Sequence, residues 1–176
     1  LADIAFMLLI FFLVTTTMDV DSGIYRKLPA WVTEDQKPPD INERNVFVVG
    51  ININNDLFVE GAYADLDGLK DRVKEFILNP LNKDNLSEKE PKTIEGLGEI
   101  QKSKGVVSLT NDRGTDYGAY IRVQNQLVAA FNELRDDFCF ARFGKKFDAL
   151  DEELQIAVRD ALPTAISEAE PIEYKR

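Results

Sequence analysis

Residues 4–14 read Ile-Ala-Phe-Met-Leu-Leu-Ile-Phe-Phe-Leu-Val with no polar interruption, and Thr15, Thr16, Thr17 and Met18 follow before a charge returns at Asp19. The uninterrupted run by itself fits a buried core helix, but with its flanks it fills positions 1–18, roughly 27 Å of helix and close to one bilayer core. The pattern predicts a transmembrane helix over residues 1–18. Because the sequence opens on Leu1 rather than methionine, the upstream start of that span is expected to be missing. A cleaved signal peptide would carry a basic front and a small-residue cleavage site, whereas here Asp3 sits at the front and bulky residues run up to the threonines. A core helix would show a polar face, and this one has none. A passive membrane anchor is the rival that the pattern leaves open.

Residues 19–45 hold Asp19, Asp21, Ser22 and Gly23, then Pro29, Pro38 and Pro39, which suit neither a long helix nor a central strand. This stretch is read as an extended linker, in which Tyr25, Leu28 and Trp31 offer a short docking segment to a partner as readily as no contact at all. From residue 46 the pattern is that of an α+β domain reaching residue 176. Val46, Phe47, Val48, Val49, Ile51 and Ile53 form a β-branched run, Asn54-Asn55-Asp56 a turn, and Leu57-Phe58-Val59 a returning strand before Gly61, together a hairpin. Leu66, Leu69, Val73, Phe76 and Ile77 recur at helical spacing after a cap at Asp65 and stop at Pro80. Residues 80–105 are polar and read as a surface insertion with at most one short helix near Glu99. The Gly96-Leu97-Gly98 run lacks the preceding strand and the lysine-serine order of a phosphate loop.

Val106 to Leu109 predict another strand, and Asn111, Asp112 and Gly114 a turn into a long helix. The apolar stripe of that helix is read as Tyr117, Tyr120, Ile121, Gln124, Leu127, Val128, Phe131, Leu134 and Phe138. Leu150, Leu154, Val158 and Leu162 stand four apart and end at Pro163, and Ile166 and Ile172 suit a final edge strand.

Composition narrows the functions. Lys and Arg number 21 against 31 Asp and Glu, a formal charge of −10, which disfavours a broad grip on nucleic acid. The chain has no histidine and a single cysteine, Cys139, so it has no internal disulfide, no histidine-based triad and no His/Cys zinc site. Cys139, between Phe138 and Phe140, reads as a small buried hydrophobe. No carboxylate pair stands out from a surface already rich in acid, so a membrane-tethered hydrolase ranks last and the chain is not expected to be an enzyme. The acidic region after residue 18, with only Arg26 and Lys27 beside the span, weakly favours export of that region.

Asp3 is the chemical centre of the apolar segment. An ionised aspartate in hydrocarbon costs roughly 2.5–3.5 kcal/mol at a helix centre and less toward an end. A carboxyl penalised there in its charged form, and relieved by access to water, can take up and release a proton as its surroundings change. Phe6, Met7, Ile10 and Val14 lie on the same helical face, and Thr17 continues it, so the acid is presented to a neighbouring helix through an oily stripe. The plainer alternative is a flanking charge in the headgroup region.

The run from Ala2-Asp3-Ile4 to Leu13-Val14 resembles the segment of the ExbD and TolR family in which an aspartate opens a Leu/Ile/Phe-rich single span. Leu28-Pro29 is similar to the family's Leu-Pro shortly after the membrane. So are the strand-turn-strand ending at Gly61 and the segment Val106–Asp112 followed by Tyr117 and a long helix. Residues 80–105 are longer than the common form, and the tail from Phe143 through Pro171 resembles the extended Bacteroidota type. The resemblance implies a bacterial inner-membrane protein with a single span and a periplasmic C-terminal domain. Its implied partners are a pentamer of a multispan ExbB- or TolQ-like protein, a second copy of itself and a TonB-like client. Protons at Asp3 would be the coupling ion, with no other cofactor and no metal. A TolR-type role in envelope integrity, and a passive anchored domain binding peptidoglycan or a protein, are the alternatives.

Overall fold

The computed structural model describes residues 1–16 and 42–169. The chain divides into two units, residues 1–38 and 39–176. In the first, helix α1 (Ala2–Thr16) has 15 residues, about 22 Å at the usual rise. Among the described residues no helix is long and apolar enough to cross a membrane. Of the predicted span over residues 1–18 the described residues show this 15-residue apolar helix, and Thr17 and Met18 lie outside them. Thr15 near its end returns its hydroxyl to the Phe11 carbonyl at 2.8 Å, which satisfies a polar side chain on an apolar helix.

The second unit contains β1 (Val46–Ile51), β2 (Leu57–Val59), β3 (Ala62–Tyr63), α2 (Leu66–Leu78), β4 (Lys89–Ile94) and β5 (Gly98–Ser103). It continues with β6 (Val106–Asn111), α3 (Tyr117–Phe143), α4 (Glu152–Ala161) and β7 (Ile166–Glu168). Five strands form one sheet in the order β3-β2-β1-β6-β7, with β6 parallel to both β1 and β7. Parallel neighbours require crossovers, which α2 and then α3 with α4 provide. Period-two alternation puts Phe47, Val49, Ile51, Leu57, Val59, Val107 and Leu109 into one core with Leu69, Val73 and Phe76 of α2 and Leu127, Phe131 and Leu134 of α3. Phe47 and Phe76 pack with tilted rings, centroids 5.1 Å apart.

The first hairpin turns at Asn52–Asp56, two residues earlier than its sequence predicts, so that Ile53 is an exposed turn residue and not part of β1. The Asn52 side-chain oxygen accepts from the backbone N–H groups of Asn54 and Asp56 at 2.9 and 2.8 Å, and Asn55 adopts φ 67°. Residues 42–45, assigned above to the linker, belong to the folded unit. Buried Asn45 accepts from the Glu88 N–H at 2.8 Å and donates to its carboxylate at 3.2 Å. Asp65 does precede α2, but its side chain makes no capping bond.

Asn79, rather than Pro80, ends α2. It is buried in the left-handed region with φ 34°. Its side chain donates to the carbonyls of Lys83 and Ser87 and accepts from the Lys83 N–H at 2.7 Å. Below it the buried Ser87 hydroxyl donates to the Phe76 carbonyl at 2.6 Å. Asn79→Ala would strip the αL-tolerant cap and leave these buried groups unpaired. It is expected to lower unfolding free energy by about 2 kcal/mol, read from thermal melts of the full-length protein.

Two expectations are corrected. Residues 80–105 are not a surface loop with a short helix, since they hold the antiparallel hairpin β4–β5, closed by Gly96 and Gly98 at φ 83° and 73°. A strand thus does precede the two glycines. Their conformation serves the turn, in which Leu97 N–H donates to the Ile94 carbonyl at 3.0 Å. The hairpin's apolar residues are few, but Ile94 and Leu97 are buried in a second core with Cys139 of α3, Leu150, and Ala157, Val158 and Ala161 of α4. The stripe of α3 is also rotated from its expected position. Ala119, Val123, Leu127, Ala130, Phe131, Leu134 and Cys139 are buried, whereas Tyr117 and Val128 are exposed. Ile166 lies in β7 as an edge strand, and Ile172 falls outside the described residues.

Arg142 of α3 donates to the Leu97 carbonyl at the hairpin tip. One carboxylate, Asp160, receives Lys92 from β4 at 3.0 Å and Lys102 from β5 at 3.2 Å. The hydrogen bonds from Lys92 and then Lys102 hold the Asp160 carboxyl below the usual range. A depressed folded-state pKa stabilises above the unfolded value and is lost as pH falls through the folded one. Asp160→Asn should therefore reduce stability at neutral pH and shrink the loss between neutral pH and pH below about 4. Because Asp160 is half exposed, the effect is small. Melting curves of wild type and variant across that range check it.

Candidate functional site

Helix α1 places Asp3 in its first turn, where a negative side chain is favoured by the helix dipole. At 100° per residue, Phe6, Met7, Ile10 and Val14 fall on the same side of the helix as Asp3, within about 100° of arc. Those five residues lie within α1, while Thr17 lies outside the described residues. Leu28 and Pro29, and with them Tyr25 and Trp31, also lie outside the described residues.

The apolar side chains of α1 are exposed on every side, with Phe6 at 62%, Met7 at 69% and Val14 at 69%. A continuous apolar surface of this kind is not stable in water and calls for hydrocarbon or partner helices. In either setting Asp3 is the ionisable member of an oily face. The arrangement can dock a second helix. It offers no nucleophile with an activating base.

Among the described residues no His/Cys/Asp/Glu group can hold a metal ion. Burial, with Asp136 nearby, pushes the Cys139 thiol up, which keeps it protonated and unreactive. Lys70 and Lys74 of α2 reach Glu133 of α3, and Lys74 also reaches Asp137 at 2.8 Å, a charged strip tying the two helices. Lys70, then Lys74, holds the Glu133 carboxyl low, and Asp137 most of all holds the Lys74 ammonium high.

One feature escaped the sequence reading. The sheet face turned away from both helices carries a groove of about 420 Å³ lined by Val48, Gly50, Phe58, Gly61 and Thr110. Phe58 packs against exposed Tyr63 at its edge, the rings tilted with centroids 4.6 Å apart. The available signal is Gly50 inside a strand, two residues after outward-facing Val48.

A search among curated proteins returns no match. The family described as Biopolymer transport protein ExbD/TolR matches residues 1–134, which takes in α1 and the unit from β1 through most of α3. With three quarters of its length matched, from the aspartate-headed apolar helix to the parallel β1–β6 pair and the helices that cover it, the chain belongs to the ExbD/TolR family.

Proposed function

We propose that this chain is the proton-carrying stator subunit of an inner-membrane motor driven by the proton-motive force. Members of the ExbD/TolR family serve biopolymer transport or its energisation, are generally anchored in the inner membrane, and work with ExbB- or TolQ-type partners. The observation that carries the finer reading is Asp3 on a helix whose other side chains are apolar and exposed. Such a helix needs company, and a multispan partner supplies both the apolar surroundings and a route for water to the carboxyl. On this reading α1 belongs to a single membrane span, and the folded unit lies in the periplasm.

Protonation at Asp3 removes the charge that hydrocarbon penalises, so the helix can pass through an apolar sector of the partner before the proton leaves on the other side. Each unit charge crossing 100 mV makes available about 2.3 kcal/mol, enough for conformational work when cycled. Two copies held side by side bring their folded units to about millimolar effective concentration, which favours their association. Those units would pass the work to a TonB-like client. A TolR-type role uses the same chemistry with a different client.

The competing reading is a passive anchor for a binding domain. Purification of the full-length protein from membranes separates the two. The stator reading expects a multispan protein to accompany it in molar excess, and recovery of the chain alone would contradict it.

A further inference from the structure

Arg135 of α3 is half-buried against the chain that follows α4. Its Nε donates to the Leu162 carbonyl at 2.9 Å, one terminal nitrogen to the Asn132 side-chain oxygen at 3.3 Å, and the other to the Thr164 hydroxyl at 2.7 Å. All three acceptors are neutral. The carbonyls at the α4 C-terminus suit a cation but supply only part of a counter-charge. Arg159, one turn before Leu162 on α4, is exposed, and its guanidinium lies against the Phe147 ring with Cζ 5.4 Å from the centroid. The Arg135 Cζ stands 6.0 Å from the same centroid. Two cations thus share one phenyl ring, whose π-cloud attracts each of them while they repel one another. Burial, and after it the charge of Arg159, push the Arg135 guanidinium below its ordinary pKa.

Acidic residues outnumber basic ones in this chain, 31 to 21, and Lys70, Lys74, Lys92 and Lys102 each reach a carboxylate. Among the described residues Arg135 and Arg159 form no ion pair. The carboxylates next to them in sequence serve other groups, since Asp136 accepts the Phe147 N–H at 3.1 Å and Asp160 holds Lys92 and Lys102. What remains beside the ring is rich in donors. The Arg159 guanidinium makes no hydrogen bond among the described residues, Arg135 has further N–H groups to give, and Thr164, which accepts from Arg135, keeps its own hydroxyl proton. Guanidinium forks and a hydroxyl match the oxygens of a phosphate group. A single carboxylate would leave one positive charge over, whereas a phosphate dianion offsets both.

We propose that Arg135, Arg159 and Thr164 form a binding site for a phosphate dianion, either free or as a phosphomonoester. Arg135, Phe147, Arg159 and Thr164 all lie beyond residues 1–134, the part matched by the family. The site is separate from the α1 carboxyl and does not depend on the stator reading.

Full-length protein in non-ionic detergent at about pH 8, where phosphate is dianionic, is titrated with sodium phosphate at constant ionic strength. The Thr164 methyl and Phe147 ring signals are followed by NMR. Saturable shifts with a dissociation constant of about 1 mM or tighter are expected. Arg159→Gln should weaken binding about tenfold, and because Arg159 is exposed and makes no hydrogen bond, the fold should survive the change. Arg122→Gln, at an exposed arginine elsewhere on α3, should bind as wild type does. Glycerol 3-phosphate, a lipid headgroup without its chains, separates the two sources. Tighter binding than phosphate assigns a headgroup, and equal or weaker binding assigns free phosphate. The proposal is overturned by the absence of a saturable response at about 10 mM phosphate, by equal binding to wild type and Arg159→Gln, or by an equal response to acetate.

Discussion

Asp3→Asn is expected to abolish energised transport while leaving the membrane complex intact. Asparagine keeps nearly the size and hydrogen-bonding reach of aspartate but has no titratable proton, so packing of α1 against a partner survives and the proton step does not. The neutral amide even lowers the cost of placing position 3 in hydrocarbon, which favours assembly. The readout is energised uptake, or envelope integrity for a TolR-type client, with recovery of the multispan partner measured on the same sample. Activity should fall to the level of cells lacking the chain. Unchanged activity would assign Asp3 to the role of a flanking charge and favour the passive anchor.

Phe131→Ala should cause the largest loss of stability in the folded unit. Phe131 is 1% exposed and sits where α3 crosses the sheet, in the cluster that holds Val49, Val107, Leu109 and Phe76. Truncation removes a ring that its neighbours cannot replace without moving strands pinned by their pairing, so the transfer loss and the cavity add. The expected cost is about 3–5 kcal/mol, seen as a fall in melting temperature of roughly 10–20 °C. A loss below about 1 kcal/mol would mean that the two helices do not pack on the sheet as described.

The elements most legible in the sequence are those whose periodicity is set by near neighbours. The α1 run, the alternating Val46–Ile51 strand with its Asn-rich turn, and the Leu69-Val73-Phe76-Ile77 face of α2 each carry their own pattern. What stayed hidden depends on residues far away in sequence. β4 and β5 look polar because the partners that bury Ile94 and Leu97 are Leu150, Ala157 and Val158, more than forty-five residues on. The α3 stripe was displaced because Tyr117 and Val128 count as apolar although exposed, while Ala119 and Ala130, small enough for close helix approach, attract little weight. The α2 stop was credited to Pro80, although Asn79 ends the helix through bonds to Lys83 and Ser87 that spacing alone does not reveal.

The site divides in the same way. Asp3 stands out in sequence because a lone carboxyl beside an unbroken apolar run is costly, and the helix then places Phe6, Met7, Ile10 and Val14 on its side. The groove over Gly50 emerges only when the strand order is known, since an outward face is defined by what fails to cover it.

The central claim, that Asp3 carries protons through the assembled complex, is tested most directly by proton flux. The chain is co-reconstituted with its multispan partner in liposomes loaded with a pH-sensitive dye, and a membrane potential is imposed. Wild type should acidify or alkalinise the lumen according to the sign of the potential, and Asp3→Asn vesicles holding the same amount of complex should match empty liposomes. Equal flux through wild type and Asp3→Asn would contradict the account.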